Sequence, residues 1–118
     1  MSKGFGRHFT ADLYFCQNEI WRNPQQFYGE IARFSQIFHL PEESWKIWPQ
    51  LSEQIIISGE SKDMLVLIQV FPGNRFLALD IFCWELQTNI DHFSEGLADM
   101  FAPQVVAAET RLRAEHLN

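Results

Sequence analysis

Apolar and polar residues alternate from Gly6 to Cys16, with Phe9, Ala11, Leu13 and Phe15 on one side and His8, Thr10, Asp12 and Tyr14 on the other. Side chains of a strand point alternately to its two faces, so this pattern predicts a half-buried strand. The period then changes. Asn23 can cap a helix that opens with Pro24, and Phe27, Ile31, Phe34 and Phe38 recur at spacings of four, three and four, which lines one helical face. Leu40-Pro41 stops that helix. Glu42 to Pro49, with Trp45 and Trp48 among charges, reads as an irregular connection or a short turn of helix.

Three strands are predicted next, Gln54 to Ser58, Met64 to Phe71 and Arg75 to Phe82. Gly59-Glu60-Ser61-Lys62-Asp63 is a polar link between the first two, and Pro72-Gly73-Asn74 has the chemistry of a tight hairpin between the last two. The run Leu65-Val66-Leu67-Ile68 implies a central strand covered at least partly on both faces. A second helix starts near Thr88-Asn89-Ile90-Asp91 and presents Phe93, Leu97 and Met100 or Phe101 before Pro103 ends it. Gln104 to Arg113 alternates again and is read as a final strand. The order β-α-β-β-β-α-β, with hairpins in its middle, predicts an α+β two-layer sandwich: a mainly antiparallel sheet with both helices on one face.

At 118 residues the chain falls below the ~150 typical of one domain, so a single domain over 1–118 is expected. Eleven Phe, four Trp and two Tyr are more than a chain of this size needs merely to stay folded, and the surplus is expected in an aromatic core, a pocket or a partner interface. Nine Lys and Arg against fifteen Asp and Glu leave a formal charge of −6, which argues against nucleic acid and anionic membranes as partners. No apolar run approaches the ~20 residues of a membrane-spanning helix, and no signal peptide is visible. Cys16 and Cys83 each sit in an apolar strand-like run, which suggests reduced thiols in a cytoplasmic protein.

Generic chemistry is missing. His8, His39, His92 and His116 lack metal-ligand spacing, and there is no dinucleotide fingerprint, phosphate loop or nucleophile elbow. Two local features remain, Gly6-Arg7-His8 with Asp12-Leu13-Tyr14-Phe15-Cys16 on the first strand, and Glu60-Ser61 between two strands.

Together these residues resemble the small prokaryotic S-adenosylmethionine decarboxylases, pyruvoyl enzymes of spermidine synthesis. The likeness covers almost the whole chain, through Gly6-Arg7-His8, Asp12 to Cys16, Glu60-Ser61, Phe71-Pro72, Leu79-Asp80-Ile81-Phe82-Cys83 and Phe101-Ala102-Pro103-Gln104-Val105-Val106. It implies that Ser61 would become the pyruvoyl group after cleavage from Glu60, and that Cys83 would return a proton to the product. It also implies a homodimer packed sheet to sheet.

The chain departs from the family pattern at the positions that carry the chemistry. Lys62 follows Ser61 where the family has His, and counting back from Pro72 places the family serine and two histidines on Met64, Leu65 and Ile68. The family cysteine lies four residues after the strand Asp, whereas Cys83 lies three after Asp80 and Trp84 holds the expected place. A one-residue shift along a strand turns the thiol to the opposite face unless a bulge restores it. The expectation is therefore a decarboxylase-like domain that has lost self-cleavage, uses no cofactor or metal, and acts by binding a protein partner in a regulatory, adaptor or assembly role. Trp45, Trp48 and Trp84 are its expected contact residues, and its acidic balance leaves room for a small cationic ligand. The alternative is an active pyruvoyl-dependent decarboxylase using Ser61 and Cys83. A third reading, an acidic secretion-chaperone-like module, shares the size and element order and would bind an extended peptide.

Overall fold

In the computed structural model, residues 5–17, 28–49, 54–84 and 91–114 are described. Strand β1 (Phe5–Tyr14) leads to helix α1 (Ile31–Phe38), a single 3-10 turn at Glu42–Ser44, strands β2 (Trp45–Pro49), β3 (Ile55–Glu60), β4 (Met64–Phe71) and β5 (Phe76–Cys83), helix α2 (Asp91–Phe101) and strand β6 (Val105–Ala114). The strands form one sheet in the order β2-β3-β4-β5-β1-β6, antiparallel at every step. This is the expected α+β architecture with one strand more than the sequence pattern indicated.

The core follows from strand parity. Phe9, Ala11 and Leu13 of β1 stand opposite Ile81, Leu79 and Leu77 of β5, which in turn stand opposite Val66, Ile68 and Val70 of β4. All of them are buried, so alternate positions of neighbouring strands make one continuous apolar face. Phe34 and Phe38 of α1 and Phe93, Leu97, Met100 and Phe101 of α2 are the buried helical side chains that complete this core. Aromatic contacts tie the layers together, with Phe38 at 5.2 Å from Phe93 and 5.6 Å from Trp45, ring centre to ring centre.

The extra strand is β2, where the sequence suggested an irregular link. Trp45 pairs with Gly59 and Ile47 with Ile57, so Trp45 and Ile47 join the buried face while Lys46 and Trp48 point to the other. A five-residue strand with charges and a terminal proline carries too short an alternation to be told from a loop. Gly59 explains how Trp45 fits: a Cβ there would fall 2.8 Å from the indole Cδ2 and Cε3. The indole lies flat against bare backbone, under Phe34 at 5.5 Å.

A second difference is Phe15, expected beside Phe9, Ala11 and Leu13. Strand β1 ends at Tyr14, and Phe15 takes a left-handed φ of 55° that turns it outward to 58% exposure. Cys16 enters the core instead. Its N–H donates to the Arg75 carbonyl, and Gln17 N–H to the carbonyls of Phe101 and Ala102. The proposed caps at Asn23, Pro24 and Thr88 to Ile90 lie outside the described residues.

Candidate functional site

The β3–β4 hairpin carries the serine that the family resemblance singled out. Ser61 N–H donates to the Met64 carbonyl at 2.8 Å and closes the turn, while Ser61 Oγ accepts from Asp63 N–H at 3.3 Å. Asp63 in turn accepts at its carbonyl from Trp84 N–H at 2.9 Å, which ties the hairpin to the end of β5. A cavity of about 190 Å³ opens beside it, lined by Ser61, Asp63, Met64 and Cys83 from the sheet and by Phe38, His39, Leu40 and Phe93 from the helical layer. Ser61 and Cys83 thus share one cavity.

His39 and Asp63 belong to the same cavity and were not expected there. His39 follows α1 with a left-handed φ of 58°, its N–H bonded to the Ser35 carbonyl, and its ring stands edge-on to Phe93 at 6.3 Å. The Ser35 hydroxyl also donates to the Leu40 carbonyl, which fixes the chain just after His39. The sequence signal was the helix stop at Leu40-Pro41, which places the residue before it in a C-cap and tells nothing of which strand lies opposite.

The other family positions are dispersed. Cys83 stands opposite Met64 and Arg7 on the helix-covered face, while Asp80, Phe82 and Trp84 alternate with it onto the open face. No bulge restores the shifted thiol, since β5 pairs without interruption from Phe76 to Cys83. Ile68 is wholly buried among core strands, Leu65 is on the open face, and Met64 lines the cavity. Lys62 is exposed at the tip of the hairpin.

The open face has its own arrangement. His8 Nε2 and Asp80 Oδ1 are 2.9 Å apart, and the imidazole stacks on Phe82 with 4.1 Å between ring centres. Half-buried Ile56, Leu65, Leu67, Phe71, Phe76 and Phe82 share this face with the polar Thr10, Asp12, Ser58 and Gln69. At one end, Tyr14 lies 5.1 Å from Phe76, which lies 5.6 Å from Phe71, and with Asn74 these rings line an open hollow of about 420 Å³.

Of the three tryptophans expected at a partner surface, Trp45 is corrected: at 6% exposure it is a core residue, held between Gly59 and the α1 aromatics. Trp48 and Trp84 are on the surface, at 49% and 36% exposure. Both stand on the open face, but apart, Trp48 on an edge strand and Trp84 at the end of the interior strand β5. Trp48 belongs to edge strand β2, bonds the Ser58 hydroxyl at 3.4 Å and has Lys46 Nζ 6.0 Å from its ring centre. Trp84 lies over Gly6 of β1, where a Cβ would meet the indole at 3.0 Å.

Both cysteines are free and buried. Burial pushes the Cys16 thiol up to about 11 from its ordinary 9.0, partly offset by a backbone hydrogen bond; its Sγ donates to the Leu13 carbonyl at 3.7 Å. The unfolded chain therefore releases this proton first, and stability falls as pH rises from about 9 to about 11. Urea midpoints should decline over that interval, less so in Cys16→Ala; an identical decline in the variant would contradict this origin. Among the described residues, no three His, Cys, Asp or Glu side chains are grouped to hold a metal ion, and no helix is long and apolar enough to cross a membrane.

No protein-family model matches this chain, and no curated protein does. Among solved structures, the adenosylmethionine decarboxylase from Aquifex aeolicus VF5 is similar, with a TM-score of 0.72 over 99% of both chains at 14% identity. That likeness extends through the whole chain and concerns its fold: this protein has the two-layer fold of an adenosylmethionine decarboxylase.

Proposed function

We propose that this chain is not cleaved and works by binding a protein partner through the open face of its sheet, in a regulatory, adaptor or assembly role. The observation that carries this reading is the parity of β5. The place four residues after Asp80 on the open face holds Trp84, and the thiol one residue earlier faces the helices. Self-processing also needs an imidazole near the scissile peptide, and the family positions for it hold Leu65 and Ile68. The Glu60–Ser61 peptide contributes its N–H to the hairpin, and the Ser61 hydroxyl accepts from Asp63 N–H.

The open face supports the binding half of the proposal. A sheet covered by helices on one side ordinarily shows polar residues on the other, and contiguous apolar surface marks an interaction site. The occupant with the same chemistry is a second copy, which would bury Leu65, Leu67 and Phe82 on both sides and enclose two His8–Asp80 pairs. Light scattering on the purified protein should give an oligomer, and Leu67→Asp should halve its mass while leaving the chain folded. A mass at high micromolar concentration that Leu67→Asp leaves unchanged would refute this surface.

One observation favours a second reading. Ser61, Cys83 and His39 line one cavity, so an active pyruvoyl-dependent decarboxylase acting on S-adenosylmethionine or an amino acid would draw its pyruvoyl group from Ser61 and its proton donor from Cys83.

A further inference from the structure

We infer that the outer edge of β6 is a self-association surface, on which a second copy of the chain adds its own β6 antiparallel with Thr110 opposite Thr110. The two edges of the sheet are built differently. On the β2 side the terminal strand has five residues, ends at Pro49 and begins at a 3-10 turn, all features that discourage strand addition. On the other side β6 has ten residues, from Val105 to Ala114, without a proline and in unbroken register with β1. Its backbone therefore offers a long row of donors and acceptors that no strand among the described residues takes up. Residues 105–111 are also exposed on both faces of the sheet, with Val105 and Val106 about half exposed, so the strand is flanked by apolar surface that a neighbouring strand would cover.

Charge selects the occupant and the register. Glu109 and Arg111 point to the same face and form an ion pair at 2.8 Å, and the guanidinium holds the Glu109 carboxyl below its ordinary value. Outward-pointing groups must meet outward-pointing groups, so a two-fold pairing places some residue opposite itself. With Thr110 at that centre, Glu109 stands across from the second copy's Arg111 and Arg111 across from its Glu109. Moving the centre by one residue sets Glu109 against Glu109, or Arg111 against Arg111, and like charges directly opposite are unfavourable. The favoured register pairs residues 106–114, which allows about eight to ten backbone hydrogen bonds. This surface is the outer edge of the sheet; Glu109 and Arg111 stand on the open-face side of it, opposite Thr10 and His8, but the strand pairing does not rest on the proposal made for that face.

A cysteine pair reads the register directly. At Thr110 the two Cα atoms would lie about 4.5–5.5 Å apart whichever way that pair is hydrogen-bonded, within disulfide reach. At Ala108 they would lie about 13 Å apart along the strands. Both native cysteines are buried and do not compete. Under air oxidation Thr110→Cys should yield a reducible covalent dimer at least about tenfold faster than Ala108→Cys, the fold of each variant being checked by circular dichroism. The same yield should persist when Leu67→Asp is added, which separates this edge from the open face. In sedimentation, Glu109→Arg should weaken association and Glu109→Arg with Arg111→Glu should restore it. Equal cross-linking at both positions, no cross-linking at Thr110, or its loss with Leu67→Asp would overturn the inference.

Discussion

Trp45→Ala should lower the unfolding free energy by about 3–5 kcal/mol, while Trp48→Ala should change it by about 0.5 kcal/mol or less. The two indoles are three residues apart on one strand and face opposite sides of the sheet. Trp45 fills the space between the Gly59 backbone and the rings of Phe34 and Phe38, so its removal opens a cavity that rigid neighbours on both sides cannot close. Trp48 has one weak side-chain hydrogen bond and a half-exposed ring. For a domain of this size the first change corresponds to a fall in Tm of about 10–25 °C. Urea denaturation of the two variants measures both. Comparable losses, or a larger loss at Trp48, would show that the aromatic packing described for β2 is wrong.

Ile68→His is also expected to be strongly destabilising, by about 3–4 kcal/mol at neutral pH, and to leave the chain uncleaved. Ile68 is wholly buried, opposite Ile57 on one side and Leu79 on the other. An imidazole there forfeits aliphatic contact and enters surroundings with no polar side chain to meet it. Burial disfavours its charged form, so the folded pKa falls below the unfolded ~6.5. The unfolded chain then binds the proton first, and stability declines further as pH drops below that value. Denaturation at pH 7.5 and 5.5 tests this, with wild type as reference. A variant as stable as wild type, or one that splits into two fragments, would contradict the placement of this position in the core rather than in a reaction site.

Much of the fold was legible because long alternating or helical runs reflect which face is buried. The runs Met64 to Phe71 and Arg75 to Phe82, joined by Pro72-Gly73-Asn74, became β4 and β5 with a 3-10 turn at that tripeptide. Strand β2 was not legible, since Trp45 and Ile47 are only two inward positions and their partners, Gly59 and Ile57, come ten or more residues later. Phe15 was misplaced for a local reason, because alternation cannot register the one left-handed residue at which a strand stops.

The site divides in the same way. That the thiol of Cys83 faces away from Asp80 could be read from strand parity alone, and the unbroken β4–β5 ladder agrees. That His39 and Asp63 line a cavity with Ser61 and Cys83 could not be read, because it depends on where the end of α1 comes to rest over the sheet. Spacing along a chain carries little about such meetings between layers.

The most direct test of the central claim is the intact mass of the purified 118-residue chain. A chain that keeps the Glu60–Ser61 peptide in its hairpin predicts one species near 13.9 kDa, unchanged on prolonged incubation. Two fragments divided between Glu60 and Ser61, the second beginning with a pyruvoyl group, would contradict it and establish the enzyme.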